Sequence, residues 1–328
     1  MSGYHSAQVD VPVRLNTNES PFPPPAAWLD AVADIARSIQ WNRYPDRAVT
    51  ELRETIARRH NVDSANIFVA NGSNEVIQTI LLAYGGSGRC VATFEPTYQM
   101  YSQIARVTGA EVVQGERRAD LTLDAIEIER VLTRHKPSVS FLCNPNNPTG
   151  TWFDSRQMID FLIRVPPQVM VLVDEAYIEY VSDPALSSAL DLGARFPNLI
   201  VARTFSKAYG LAGLRVGYIV AEPSLLALLE PIRESFNVNG LGLVAAQVAL
   251  ADAAHLQDVV TRTQQEREWL AAAMRSMGVQ VLPSQTNFLL AHFGPETPAI
   301  ENALFERGVI VRPMAGYGLG EYLRITLA

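Results

Sequence analysis

Short apolar runs punctuate the first two thirds of the chain, with helical spacing between them. Cys90–Phe94, Val112–Val113, Val139–Cys143, Val169–Val173 and Leu199–Ala202 lack polar alternation, the mark of strands buried on both faces. Between them, Ala48–His60 carries Leu52 and Ile56 four apart on one helical face. Ser73–Tyr84, Ala125–Arg134 and Ser155–Arg164 also read as helices. From Ala48 to about Glu222 this alternation predicts right-handed crossovers and a largely parallel sheet wrapped by helices. After Pro231 the pattern changes. Two longer helical stretches, Leu241–Ala251 and Leu256–Met277, precede strand-like runs at Val279–Leu282, Phe288–Ala291, Val309–Val311 and Tyr322–Leu327. The proline-rich Pro21–Pro25 reads as an extended arm. The pattern predicts an α/β chain with an N-terminal arm and part of a small domain in 1–40, a large domain in 41–230, and a smaller α+β domain in 231–328.

Composition narrows the partners. The 328 residues are 48% apolar and 19% charged, ordinary for a globular protein. A net charge of −7 without a basic run argues against nucleic acid or an anionic membrane surface. No apolar stretch approaches the roughly 18 to 20 residues that span a bilayer. Met1–His5 lacks the basic and apolar regions of a signal peptide. Cys90 and Cys143 sit in apolar runs and read as small buried thiols, which favours a reduced, cytoplasmic setting. The five histidines are scattered, so no metal site is expected. Gly85–Gly88 reads as a helix stop, and Gly316–Gly320 as a turn.

The chemistry concentrates between Thr204 and Tyr218. Lys207 lies in a small-residue turn after the run Leu199–Ala202, with Ser206 beside it and Arg215 eight positions on. A lysine after a serine is usually a solvated surface residue. Here an amine able to condense with an aldehyde sits beside a hydroxyl and a guanidinium able to hold a phosphate, which suits pyridoxal 5′-phosphate. Asp174 ends another apolar run, where a carboxylate either caps the next helix or pairs with a ring nitrogen. Asn71-Gly72-Ser73-Asn74-Glu75 opens a helix, with Ser73 as its N-cap or its backbone N–H groups as a phosphate site. Asn144–Gly150 has the residues of an ordinary turn. Tyr98 is core filling by default.

These strings together resemble the motifs of fold-type I, pyridoxal-phosphate-dependent class II aminotransferases. The resemblance rests on Thr204–Tyr218, Asp174-Glu175-Ala176-Tyr177, Asn144–Gly150, Gly72–Glu75 and Pro96-Thr97-Tyr98. It implies that Lys207 is the Schiff-base lysine and proton shuttle, that Asp174 pairs with the ring nitrogen, and that Tyr177 and Asn147 hydrogen-bond the ring oxygen. Gly72, Ser73, Asn74, Thr204, Ser206 and Arg215 would form the phosphate cup, and Tyr98 would stack on the ring. Tyr44, in Arg43-Tyr44-Pro45-Asp46, would reach the phosphate of a neighbouring subunit's cofactor, which implies a homodimer with shared sites.

The outer strings Leu15–Phe22, Ser235–Asn239, Gly308–Pro313 and Tyr322–Thr326 are similar to those of histidinol-phosphate aminotransferases. That resemblance covers nearly the whole chain. It implies ping-pong transfer between histidinol phosphate and 2-oxoglutarate in histidine biosynthesis, with Arg324, Arg312 and Asn147 binding the small-molecule substrates. Two features depart from the family pattern: Phe22 stands where members often have a tyrosine, and Ala328 follows directly on the arginine strand, where relatives add a helix. The rival readings are an aromatic amino-acid aminotransferase, a pyridoxal-phosphate-dependent decarboxylase of a phosphorylated amino acid, and a non-catalytic cofactor-binding module.

Overall fold

The structure, a computed structural model, describes residues 9–328, so the reading of Met1–His5 lies outside it. Its first elements are β1 (Val13–Leu15), α1 (Ala26–Ser38), α2 (Thr50–His60), β2 (Ile67–Ala70), α3 (Ser73–Tyr84) and β3 (Cys90–Glu95). Next come α4 (Met100–Val107), β4 (Glu111–Glu116), α5 (Ala125–His135), β5 (Val139–Cys143), α6 (Ser155–Arg164), β6 (Met170–Asp174), β7 (Leu199–Thr204) and β8 (Gly217–Ala221). The remainder is α7 (Pro223–Leu226), α8 (Gly240–Ala251), α9 (Ala253–Ser276), β9 (Gln280–Val281), β10 (Phe288–His292), α10 (Thr297–Glu306), β11 (Val309–Pro313) and β12 (Tyr322–Thr326).

The larger sheet has seven strands in the order β2-β8-β7-β6-β5-β3-β4. The pairs β3–β4, β3–β5, β5–β6 and β6–β7 are parallel, and β8 runs antiparallel to both its neighbours. Helices cover both faces, which is why the strands lack polar alternation. On β6, Val171 and Val173 pack with Phe161 and Leu162 of α6, while Leu172 between them packs with Ile77 and Ile80 of α3. That is the two-residue period of a strand expressed as two cores. Asp154 and Gln157 form a capping box that starts α6, and Asp124 caps α5. α3 stops at Gly85.

The smaller sheet runs β1-β11-β12-β10-β9. Its edge strand β1 comes from the N-terminal arm and pairs in parallel with β11. After the prolines the arm becomes α1, whose Trp28 packs in one core with α2, α8, β2 and β8. Trp28 Nε1 donates to Asp252 at 2.9 Å. Cys143 is buried, but Cys90, as the first residue of β3, is only half-buried; both thiols are free. Among the described residues, no single helix is long and apolar enough to cross a membrane.

The parallel strands all end on one side, at Glu95, Cys143, Asp174 and Thr204. In open α/β sheets ligands collect there. β2, antiparallel to the same neighbour as β7, ends on that side too and leads into the start of α3.

Candidate active site

These strand ends, the arm at Thr17–Glu19 and Arg324 of β12 enclose a cavity of about 320 Å³. Ser73, Asn74, Tyr98, Asn147, Asp174, Tyr177, Thr204, Ser206, Lys207, Arg215 and Arg324 all line it. Eleven residues singled out in the sequence thus converge on one space. Gly72 stands directly behind, where a Cβ would lie 3.0 Å from the Arg215 Cζ. Two predicted residues lie elsewhere. Arg312 lines an adjoining cavity of about 450 Å³ with Asn16, Gln99, Glu301 and Tyr317. Tyr44 is 80% exposed and stacks on Phe236 with ring centroids 4.4 Å apart.

Lys207 follows β7 through Phe205 and Ser206, in a turn closed by the Gly210 N–H donating to the Lys207 carbonyl. Its Nζ donates to the Thr17 carbonyl at 3.1 Å. Burial and the Arg324 and Arg215 guanidinium groups bring its pKa down to about 8, against the opposing pull of Glu19 and Asp174. Roughly a tenth is therefore free amine at pH 7, where an ordinary lysine has well under about a thousandth. The chain holds only two lysines, and the other, Lys136, is an exposed residue at the end of α5.

Asp174 is the last residue of β6, so its side chain and that of Glu175 point to opposite sides. Glu175 meets Arg203 Nε at 2.8 Å, Ser188 Oγ at 2.8 Å and the Ala189 N–H at 2.6 Å. Asp174 faces the cavity. Its Oδ2 accepts from Tyr101 Oη at 2.7 Å and its Oδ1 from the Ala176 N–H at 3.1 Å. Burial pushes its carboxyl up, and those two hydrogen bonds oppose the shift.

Beside it, Tyr177 Oη accepts from Asn18 Nδ2 at 3.0 Å and from Asn147 Nδ2 at 3.3 Å. Asn147 Oδ1 accepts from Arg324 Nη1 at 2.6 Å, and Arg324 Nη2 donates to the Asn16 carbonyl at 2.8 Å. The guanidinium lies over the Phe288 ring, 5.3 Å from its centroid, and its buried Nε has no hydrogen-bond partner among the described residues.

At the other end, α3 points its N-terminus into the cavity. Ser73 does not cap that helix as the sequence suggested. Gly72 holds the cap position with φ +80°, and no side chain closes it, so the first N–H groups remain open to a ligand. Glu75 instead bonds the Asn71 N–H and takes Asn237 Nδ2 at 2.9 Å, tying the Ser235–Asn239 string to this loop. Ser206 Oγ receives Thr204 Oγ1 at 3.0 Å and Arg215 Nη1 at 3.3 Å. Arg215 itself sits at φ +54°.

An amine of lowered pKa at one wall, an open helix N-terminus with a serine and an arginine at the other, and a buried carboxylate between them fit pyridoxal 5′-phosphate. Sequence reasoning missed three contributors: Tyr101 against Asp174, Asn18 against Tyr177, and the Thr17 carbonyl against Lys207. Asn18 and Thr17 lay inside a quoted string, but nothing local signals partners 159 and 190 residues away. Tyr101 follows Tyr98 by three residues, at the start of α4, and nothing in that spacing signals its partner Asp174.

The fold and this site define a cofactor-dependent transferase of the α/β class, and the chain belongs to the family of class I and II aminotransferases, which it matches over residues 10–328. That family depends on pyridoxal 5′-phosphate. The chain is 37% identical to the histidinol-phosphate aminotransferase of Frankia casuarinae, covering 99% of this chain and 84% of the relative. To that of Thermobifida fusca it is 39% identical, over 99% and 88%. The crystal structure of histidinol-phosphate aminotransferase from Sinorhizobium meliloti in complex with pyridoxal 5′-phosphate superposes with a TM-score of 0.90 at 30% identity, over 97% of this chain and 86% of that one.

Proposed function

We propose that the enzyme transfers the amino group of histidinol phosphate to 2-oxoglutarate, by a ping-pong mechanism, in a histidine-forming pathway of the reduced cytoplasm. The observation that carries the substrate reading is a pair of arginines. Arg324 and Arg312 are direct partners across β11 and β12, one facing the cavity of Lys207 and the other the adjoining cavity. Two guanidinium groups suit substrates that bring a carboxylate in one half-reaction and a phosphate in the other. The similarity along the whole chain to histidinol-phosphate aminotransferases supports the same reading.

When bound, the cofactor supplies an aldehyde that captures amines and a ring that takes up the electron pair left by a broken Cα–H bond. The residues do the rest. Lys207 holds the cofactor, and as a neutral amine it removes the substrate's Cα proton and returns it one position away. Asp174, itself buried, would keep negative charge beside the ring nitrogen. Tyr177 and Asn147 donate to the ring oxygen, and Tyr98 covers the ring face. Gly72, Ser73, Asn74, Thr204, Ser206 and Arg215 hold the phosphate. Asn147 also steadies Arg324 toward the substrate. Tyr44 would serve the neighbouring subunit's site, making the working form a homodimer; its exposure, outside the lining of its own cavity, agrees with that role.

A substrate panel tests the reading. Histidinol phosphate, phenylalanine and threonine phosphate are each supplied with 2-oxoglutarate, and glutamate and carbon dioxide are recorded. Glutamate without carbon dioxide, at highest kcat/KM from histidinol phosphate, is the expected result. A preference for phenylalanine, or carbon dioxide from threonine phosphate, would move the enzyme to another branch.

A further inference from the structure

We infer that Tyr101 is a positioning residue for the reaction: its hydroxyl holds the Asp174 carboxylate at the angle and charge with which it meets a cationic ring nitrogen. The inference rests on the proposed role of Asp174. Asp174 is buried and forms no ion pair among the described residues. A carboxylate there is held charged first by hydrogen bonds, with a smaller contribution from the nearby Lys207. It has two from the protein, one to each oxygen: the Ala176 N–H and Tyr101 Oη. The tyrosine contact, at 2.7 Å, is the shorter and belongs to the strong class of hydrogen bonds to a charged acceptor.

The phenol is itself held rigidly. Tyr101 is fully buried, and its ring stacks on Phe141 at 4.8 Å with the planes 8° apart. Tyr98 meets it edge-on at 5.5 Å. Burial and the neighbouring carboxylate push the Tyr101 hydroxyl well above its usual range, so it remains a donor. Tyr98 lies in the loop before α4 and Tyr101 in its first turn, joined by the Tyr101 N–H donating to the Tyr98 carbonyl at 3.2 Å. A single segment thus delivers both the ring that faces the cavity and the hydroxyl that braces the carboxylate behind it. With two donors fixed, the carboxylate cannot rotate freely or take a proton cheaply, and its charge is oriented before any cofactor binds.

The test is Tyr101→Phe, which keeps the stacked ring and removes the donor. Loss of a hydrogen bond to a charged group is expected to lower kcat about tenfold or more, with KM for both substrates within about threefold. The Kd of the apoenzyme for pyridoxal 5′-phosphate, read by fluorescence titration, is expected to rise about tenfold. In an Asp174→Asn background the same change is expected to cost less than about threefold, because the residue acts through Asp174. p-Aminophenylalanine at position 101 restores a donor and is expected to recover part of both losses; it also serves as the second variant if phenylalanine yields no folded protein. Wild-type kcat and Kd in Tyr101→Phe, or equal losses in both backgrounds, would overturn the inference. If Asp174→Asn alone leaves kcat unchanged, the proposed role of Asp174 fails as well, so the two failures are distinguishable.

Discussion

Lys207 works as a neutral amine, and its surroundings are arranged to make it one. With a pKa brought down to about 8, the amine is protonated below that value and free above it. The rate at which apoenzyme captures pyridoxal 5′-phosphate, followed by absorbance, is therefore expected to rise with pH to a midpoint near 8. A midpoint near 10, that of an ordinary lysine, would mean that burial and the two arginines do not act on it. Asp174→Asn keeps the size and removes the charge; kcat is expected to fall by at least about a hundredfold while substrate affinity changes little. An unchanged kcat would refute the electron-sink role. Arg324→Lys keeps the charge and loses the planar fork, so KM for 2-oxoglutarate is expected to rise about tenfold. Most of these residues were legible because each sits in a string whose neighbours are short, polar or glycine where a buried strand ends. Tyr101, Asn18 and the Thr17 carbonyl were not, since their meaning lies in partners that only the folded chain brings near.

The start of α3 depends on Gly72. A side chain there would meet the Arg215 guanidinium and would have to accept φ +80°. Gly72→Ala is expected to weaken cofactor affinity at least about tenfold while the fold survives, as read by equilibrium dialysis and circular dichroism. A different element makes a purely structural prediction. Arg203 of β7 lies between Glu175 and Glu179, at 2.8 and 3.3 Å, on the side of the sheet away from the cavity. Removing it strands the buried Glu175 carboxylate and the partly buried Glu179 one, so Arg203→Met is expected to cost about 3–5 kcal/mol in unfolding free energy. The parallel strands and their helices were readable because burial on both faces leaves an unbroken apolar run. β2 and β8 were passed over although both are fully buried. β8 follows directly on the lysine string, and its antiparallel direction is set by pairing that no local pattern encodes. α4 and α10 were also missed: α4 is only 8 residues long, too short for its stripe to repeat, and α10 mixes apolar and polar residues without a clean stripe.

At the level of the molecule, the arm ties the two sheets together. β1 joins the small sheet, Thr17 and Asn18 close over the cavity, and α1 packs with α8 against the larger sheet's core. The compositional change after Pro231 does not mark that packing, because α8 is apolar nearly all round and buries itself with α1 and α2. The homodimer reading makes a prediction at this scale. Lys207→Ala and Tyr44→Ala proteins, each of low activity, are expected to regain activity when unfolded together and refolded, since one site in the mixed pair then has both residues. No recovery would place Tyr44 outside the partner's site. The central claim is that Lys207 is the covalent anchor of the cofactor, and a chain with only two lysines allows a direct measurement. Holoenzyme reduced with borohydride, digested and mapped by mass spectrometry is predicted to carry one pyridoxyl-phosphate adduct, on the peptide of Lys207, with Lys136 unmodified. An adduct on Lys136 alone, or none on either lysine, would contradict the account.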